Sequence, residues 1–289
     1  MKYWYRWMGM AVVAASLAAP SVATAQSTQP ATEAKTDAKS EELHFPQGVL
    51  FPYDLLDIAL RNHVDGHGNV DYLELKGNEA LNLFVLATNT ADMKAFPVWT
   101  QTDEQGQQHP DRSAELTFWI NAYNAHILKS IADAYPVKSV SEIEGLFTAK
   151  THVVGGQTYS LDEMRDLIVK RDPRALFALT DGTKGGPMLA PSAYRLTGLS
   201  QALDAAVATF VNDMRNVTLT RIQNEVLLND FFKAANPLFQ SKLRRDKWSG
   251  IRYLLSTYTK EGASRKYFTT NDCRIEFKAK DDSLNVKPL

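Results

Sequence analysis

The stretch LTFWINAYNAHILKSI, Leu116 to Ile131, constrains the fold more than any other part of the chain. Leu116, Ile120, Tyr123, Ile127 and Ile131 recur at spacings of four, three, four and four, which places them on one face of a helix. Such a stripe is buried only if other elements wrap around it. Asp111 or Ser113 is placed to cap the start. Tyr135-Pro136 ends it, because the residue before a proline disfavours helical backbone. Asn121 and Asn124 lie three apart on an adjoining face. Asparagine lowers helix propensity, and a half-buried amide needs partners. Two readings follow: the amides pin neighbouring loops across a core helix, or they line a pocket as binding residues. His126 lies on another face with no evident partner.

Beyond this helix, THVV and QTYS flank Gly155-Gly156, a two-residue turn that closes a hairpin. Ser160 follows as an N-cap, with Glu163 as its capping-box partner. Further helices are predicted near Tyr53 to His63, Ala80 to Ala87, Leu199 to Asn212 and Ser249 to Tyr258. Short strands are predicted near Phe177, Val217 and Ile275. Helices and strands do not alternate regularly. The expected fold class is therefore α+β, a single helix-rich domain with a small, partly antiparallel sheet, rather than a doubly wound parallel sheet. No internal repeat or second linker divides residues 44–289, which read as one domain.

Residues 1–25 have the pattern of a secretory signal peptide. Lys2 and Arg6 supply a positive start, an apolar run from Met8 to Ala19 follows, and Ala23-Thr24-Ala25 is a small-x-small cleavage pattern. That run is shorter than the ~20 residues a membrane-spanning helix needs. The expectation is cleavage after Ala25, no transmembrane segment in the mature chain, and a periplasmic location. No cysteine lies near the cleavage point to carry a lipid. Residues 26–43 are nearly devoid of aromatic and large aliphatic side chains, so they cannot offset their ordering entropy and read as a disordered linker.

Removing Lys2 and Arg6 leaves 30 basic against 33 acidic residues, a net charge of −3 that argues against nucleic acid as a partner. The basic run KLRRDKW, Lys242 to Trp248, reads as a solvated helix face. Cys273 is the only cysteine, so no intramolecular disulfide forms and stability has to come from packing.

Few segments offer chemistry. No G-x-S-x-G nucleophile elbow occurs, and no glycine-rich strand-to-helix fingerprint for a nucleotide, so no cofactor is expected. No histidine follows His152, which leaves Cys273 with only a distant candidate base. NHVDGHGNVDYLEL, Asn62 to Leu75, has an EF-hand flavour, with Asp65, Gly68, Asp71 and Glu74 at plausible places. His63 and His67 would then stand where a calcium ion wants oxygens, and Gly66 and Gly68 argue against a zinc helix. A glycine turn leading into a short strand is the expectation, with metal as a side reading. The loop FALTDGTKGGPML, Phe177 to Leu189, follows a buried apolar run and offers Asp181, Thr183 and Lys184.

Taken in order, FWINAYNAHIL, GGQTYSLDEM, DPRALFAL, GGPMLAPSAY and DDSLN resemble the bacterial domain of unknown function 547 family, with VDYLEL and NDFF as flanking matches. The resemblance covers residues 44–285 and implies a shared fold, but not a known reaction. It also exposes departures. The family loop commonly carries two cysteines; their positions here hold Asp181 and Gly186. Histidines common in the family correspond to Asp166 and Leu176. A tyrosine and a tryptophan around a late aspartate correspond to Lys280 and Asp282, while Asp281 and Ser283 to Asn285 remain.

The resemblance implies that thiol chemistry at that loop is lost, because a thiolate needs its sulfur and a proton acceptor or positive field. The leading expectation is an exported accessory or binding protein, a pseudoenzyme if the family is catalytic, with an unidentified small-molecule or envelope-component ligand. The alternative is a hydrolase or transferase acting on an envelope component through a carboxylate pair, Asp166 and Asp181, with Lys184 beside them. Asn121, Asn124 and Arg174 are the candidate binding residues. The plainer reading caps a turn with Asp181, or pairs it with Lys184 or Arg174, and leaves Asp166 in solvent.

Overall fold

The computed structural model describes residues 51–102, 105–240 and 246–288. The expected signal peptide, the linker and most of the basic run KLRRDKW lie outside the described residues. Helices α1 (Tyr53–His63), α2 (Tyr72–Leu75) and α3 (Glu79–Asn89) come first. A hairpin of β1 (Trp99–Thr102) and β2 (Gln108–Asp111) then leads into α4 (Ser113–Ala134). The hairpin β3 (His152–Val154) and β4 (Gln157–Tyr159) precedes α5 (Leu161–Arg171), a 3₁₀ turn over Pro173–Ala178 and α6 (Leu199–Val211). Strands β5 (Val217–Thr220) and β6 (Glu225–Asn229) follow, then α7 (Phe232–Ala235), α8 (Ser249–Tyr258), α9 (Ala263–Thr270) and β7 (Arg274–Lys278). The fold is α+β.

Local chemistry explains most of these boundaries. Neither Asp111 nor Ser113 is the N-cap of α4, which is Arg112 without a side-chain cap; Asp111 accepts from the Ser113 backbone N–H at 2.8 Å just before it, and Tyr135-Pro136 ends the helix. Gly155 and Gly156, at φ 57° and 75°, make the tight turn that sets Val154 opposite Gln157. Ser160 and Glu163 form the reciprocal capping box of α5. Phe177 departs from expectation. It lies in the 3₁₀ turn and not in a strand, because Asp172 caps that turn and Pro173 occupies its first position. A short buried apolar run does not by itself distinguish the two.

The stripe on α4 is the spine of a first core. Phe118, Ile120, Ala122, Ala125, Ile127 and Ile131 are completely buried. They are joined there by Leu56 of α1, Phe84 of α3 and Met164 of α5. A second core lies on the sheet β5-β6-β7, antiparallel between β5 and β6 and parallel between β6 and β7. Val226 and Leu228 pack there with Phe232, Ile251, Leu254 and Phe268.

Two elements join both cores. The 3₁₀ turn gives Ala175 and Ala178 to the first and Leu176 and Phe177 to the second. Helix α6 gives Leu199 and Leu203 to the first and Val207, Phe210 and Val211 to the second. The chain after β7 returns to the first core through Leu284, with single bridges Thr183 to Leu284, Ser139 to Ser283 and Val70 to Val286. The loop after the 3₁₀ turn is thus held where the two cores meet.

Candidate functional site

Asp181 and Asp281 each begin a small turn, and the two turns interlock. Asp181 Oδ1 accepts from the Thr183 backbone N–H at 3.0 Å and from its hydroxyl at 2.7 Å. Asp281 Oδ1 accepts likewise from Ser283, at 3.0 Å and 2.6 Å. Aspartate favours this arrangement because its side chain satisfies the backbone two residues on. Backbone N–H groups of Lys184, Gly185 and Asn285 donate across to Ser283, Asp281 and Gly182 at 2.9, 2.9 and 3.0 Å.

Lys280 closes the assembly. Its ammonium donates to Asp181 Oδ2 at 2.5 Å, with Asp282 at 3.3 Å on its other side. Burial works to lower the Lys280 pKa, but the Asp181 carboxylate and then Asp282 outweigh it and hold the ammonium above its ordinary value. Asp181 and Lys280 side chains are each 19% exposed, so this is a largely buried ion pair. Neither Lys184 nor Arg174 is the partner of Asp181, as the sequence had suggested. Lys184 is exposed and its charge is felt at Asp281. Arg174 is held by Asp172 at 2.6 Å and Asp204 at 3.0 Å, and those hydrogen bonds raise its pKa.

The two positions at which the family resemblance expects cysteines meet in space. A Cβ built on Gly186 would lie 1.9 Å from Asp181 Oδ1 and 2.5 Å from its Cγ. The carboxylate therefore fills the room that a side chain at position 186 would need. Gly185 is similarly confined, with Lys280 Cγ at 2.5 Å and the Asp281 nitrogen at 2.6 Å from a virtual Cβ.

Beneath the loop, Asn124 donates to the Ala178 carbonyl at 2.9 Å and accepts from the Thr180 N–H at 3.0 Å. Asn121 does the same to Tyr194, donating at 2.9 Å to its carbonyl and accepting at 2.9 Å from its N–H. Both side chains are almost fully buried, and both amides pin loop backbone to α4. Tyr72 and Tyr123 also border the loop. Burial first, and then the Asp181 charge, raises both phenols' pKa values.

Asp166 does not join this assembly. It is 58% exposed and pairs with Arg165 at 3.2 Å on the surface of α5. The α5 charges felt at Tyr123 are those of Arg165 and Asp162. Leu176 is buried in the second core. Around Asp65, the carboxylate accepts from the backbone of His67 and Asn69 and from the Asn69 amide, closing the glycine turn. His63 bonds Asn78 at 3.1 Å, and Asp71 caps α2 instead of pointing into the turn. The turn leads to two bridges at Val70, to Val64 and to Val286, and then to α2.

Two histidines missed as a pair lie on the other side of α4. His126 faces His152 with ring centroids 5.1 Å apart, and its Nε2 is 3.0 Å from the Thr88 hydroxyl. Burial, and then the neighbouring His152, pushes the His126 pKa down to about 3; burial also lowers that of His152. His126 therefore has a partner after all. His152 belongs to this pair, while Cys273 is buried in the second core with its pKa raised by burial.

A third feature had no sequence signal. A cleft of about 740 Å³ opens between the end of α3, the start of α4, the β3–β4 hairpin and α5. It is lined by Trp119, Glu115, Arg171, Tyr159, Met93 and Leu167, among others. The Trp119 Nε1–H and the Arg171 Nε–H are buried without an acceptor.

Comparison with known proteins returns one family. The chain matches no curated protein and no solved structure. The model described as "Protein of unknown function, DUF547" matches residues 107–211, from β2 through α4, both joining elements and the Asp181 loop to the end of α6. Over this segment the chain is similar to the DUF547 family.

Proposed function

We propose that the chain is an exported periplasmic binding or accessory protein whose DUF547-type loop serves as a structural lock instead of a reactive site. One observation carries this reading: both Asp181 oxygens are engaged by the chain itself, Oδ1 by Thr183 and Oδ2 by Lys280. Three hydrogen bonds take up most of the carboxylate's acceptor capacity, and a nucleophile or general base must also face its substrate. Asp181 is instead turned into the loop, against Gly186. The rival reading, a hydrolase or transferase acting through two carboxylates, needs Asp166 beside Asp181. Asp166 is spent on Arg165 at the surface. Export rests on the order of Lys2, Arg6, the apolar run and Ala23-Thr24-Ala25.

The test is a turnover assay of residues 26–289 against peptide, ester and glycan substrates, with Asp181→Ala and Asp166→Asn alongside. No turnover is expected from any of the three proteins. Turnover that disappears in Asp181→Ala would overturn the reading. Fractionation of a Gram-negative host expressing the full chain should recover a periplasmic product beginning at Gln26. An unprocessed cytoplasmic product would contradict export.

A further inference from the structure

The tip of the β3–β4 hairpin caps the end of α3. A helix leaves its last carbonyls without helical partners. Here the Gly155 N–H donates to the Thr88 carbonyl at 2.9 Å, and the Gly156 N–H to the Asn89 carbonyl at 2.8 Å. The Asn89 amide, oriented to satisfy both its neighbours, donates in return to the Val153 carbonyl at 2.7 Å and to the Val85 carbonyl at 3.0 Å. Glycine is required at position 155. Its φ is 57°, and a Cβ there would lie 2.8 Å from Met93 Cγ and 3.2 Å from the Ala91 carbonyl oxygen.

Behind this tip, His126 of α4 faces His152 of β3 edge-on, with 5.1 Å between ring centroids. The two residues are only 5% and 6% exposed, so water cannot solvate a charge on either. His126 Nε2 lies 3.0 Å from the Thr88 hydroxyl, and the ring also bonds the Val153 backbone. One imidazole therefore touches both sides of the joint, α3 at Thr88 and the hairpin at Val153. His152 bonds the Leu146 backbone.

None of these partners carries a charge. Among the described residues no carboxylate acts on either ring, and the one charge that bears on His126 is that of His152. A proton added to either imidazole would be a buried cation without a counter-ion. One on each would set like charges face to face across 5.1 Å.

A pair of three-residue strands has little stability of its own, so the hairpin stays down only while its contacts hold. Val154, Gly155, Gly156, Gln157 and Tyr159 of the same hairpin line the Trp119 cleft. Lifting the hairpin widens that cleft.

We infer that His126 and His152 form an acid-released latch: uncharged, they let the hairpin dock on the end of α3, and protonation lifts the hairpin and opens the cleft while both cores stay folded. The latch uses no residue of the Asp181 loop. Lifting returns the histidines to water, where the ordinary value near 6.5 applies. The open form then binds a proton that the closed form does not. As pH falls below 6.5 the opening constant rises by up to about tenfold per pH unit for each histidine, and for His126 this window extends down to about 3. The hairpin is thus closed at pH 7 and opens progressively toward pH 4.

Amide hydrogen exchange of residues 26–289, read by NMR from pH 7 to pH 4.5 and divided by the intrinsic rate at each pH, measures this opening. Gly155 and Gly156 should lose protection by about a hundredfold between pH 6.5 and pH 4.5. Phe118 and Leu228, one in each core, should keep theirs. In the double variant His126→Gln, His152→Gln, protection of the two glycines should no longer depend on pH. If that variant does not fold, NMR titration of the wild-type rings decides: both should titrate below 6.5 while the hairpin is closed. Protection at Gly155 and Gly156 that ignores pH would overturn the inference. So would protection that falls only together with Phe118 and Leu228, or that falls equally in the folded double variant. Rings that titrate at the ordinary value with the glycines still protected would overturn it too.

Discussion

The Asp181 loop and the Trp119 cleft are built on the same helix, α4, yet they treat buried polar groups in opposite ways. At the loop, Asn124 holds the backbone from below, Thr183 and Lys280 take up the Asp181 carboxylate, and the Asp281 turn locks across it. Every donor and acceptor named there is answered from within the chain. About one turn and a half toward the N-terminus of α4, Trp119 leaves its buried N–H unanswered, as does Arg171 at the end of α5. The lesson is that a family's motif and a chain's unmet hydrogen-bonding demand need not coincide. The loop carries the family resemblance, whereas the cleft carries the unmet demand.

That contrast is open to attack, and the largest effect should come from the loop's anchor. Asn124→Ala removes the partner of both Ala178 C=O and Thr180 N–H. Each orphaned buried group costs about 1–3 kcal/mol, so a loss of roughly 3 kcal/mol is expected in urea unfolding. A loss below about 1 kcal/mol would mean that the loop does not depend on α4.

A smaller effect is expected at Gly186. Gly186→Ala drives a methyl into the Asp181 carboxylate, which Thr183 and Lys280 prevent from moving aside. Overpacking of this kind costs about 1–3 kcal/mol. The same substitution in an Asp181→Gly background should cost markedly less, because the obstructing side chain is gone. Equal costs in both backgrounds would remove the claim that the carboxylate fills this space.

The hairpin wall of the cleft is sharpened by pH. Burial lowers the pKa of both His126 and His152, that of His126 to about 3. Between the ordinary histidine value near 6.5 and about 3, the unfolded chain binds a proton that the folded chain does not. Stability therefore falls as pH drops through that window, by at most about 1.4 kcal/mol per pH unit for His126, and is fully present above it. His126→Gln should flatten the slope of unfolding free energy between pH 6.5 and pH 4. An unchanged slope would show that the histidine is already protonated in the folded protein.

What the sequence revealed and what it concealed divides by distance along the chain. The α4 stripe, the Gly155-Gly156 hairpin and the Ser160 capping box depend on residues a few positions apart, and each is found in the structure. The signal that decides Phe177 lies nearby, since Asp172-Pro173 is a helix start that outweighs the apolar run after it. Partners of Asp181 were harder, because Lys280 lies 99 residues away and outside the matched segment. The cleft left no trace in the sequence. Trp119 and Arg171 read as ordinary core and surface residues until the packing leaves their donors unmatched.

The central claim is that Asp181 is a structural lock, and a double-mutant cycle between Asp181 and Lys280 tests it most directly. Asp181→Ala, Lys280→Met and the double variant would be compared with the parent by urea unfolding. Breaking a largely buried pair leaves one charge uncompensated, so each single variant should lose about 2–3 kcal/mol, discounted for the pair's partial exposure. The double variant should lose less than the sum, giving a coupling of roughly 2 kcal/mol. Additive losses would contradict the account. So would an Asp181→Ala variant more stable than the parent, which is the behaviour of a residue kept for function at the expense of stability.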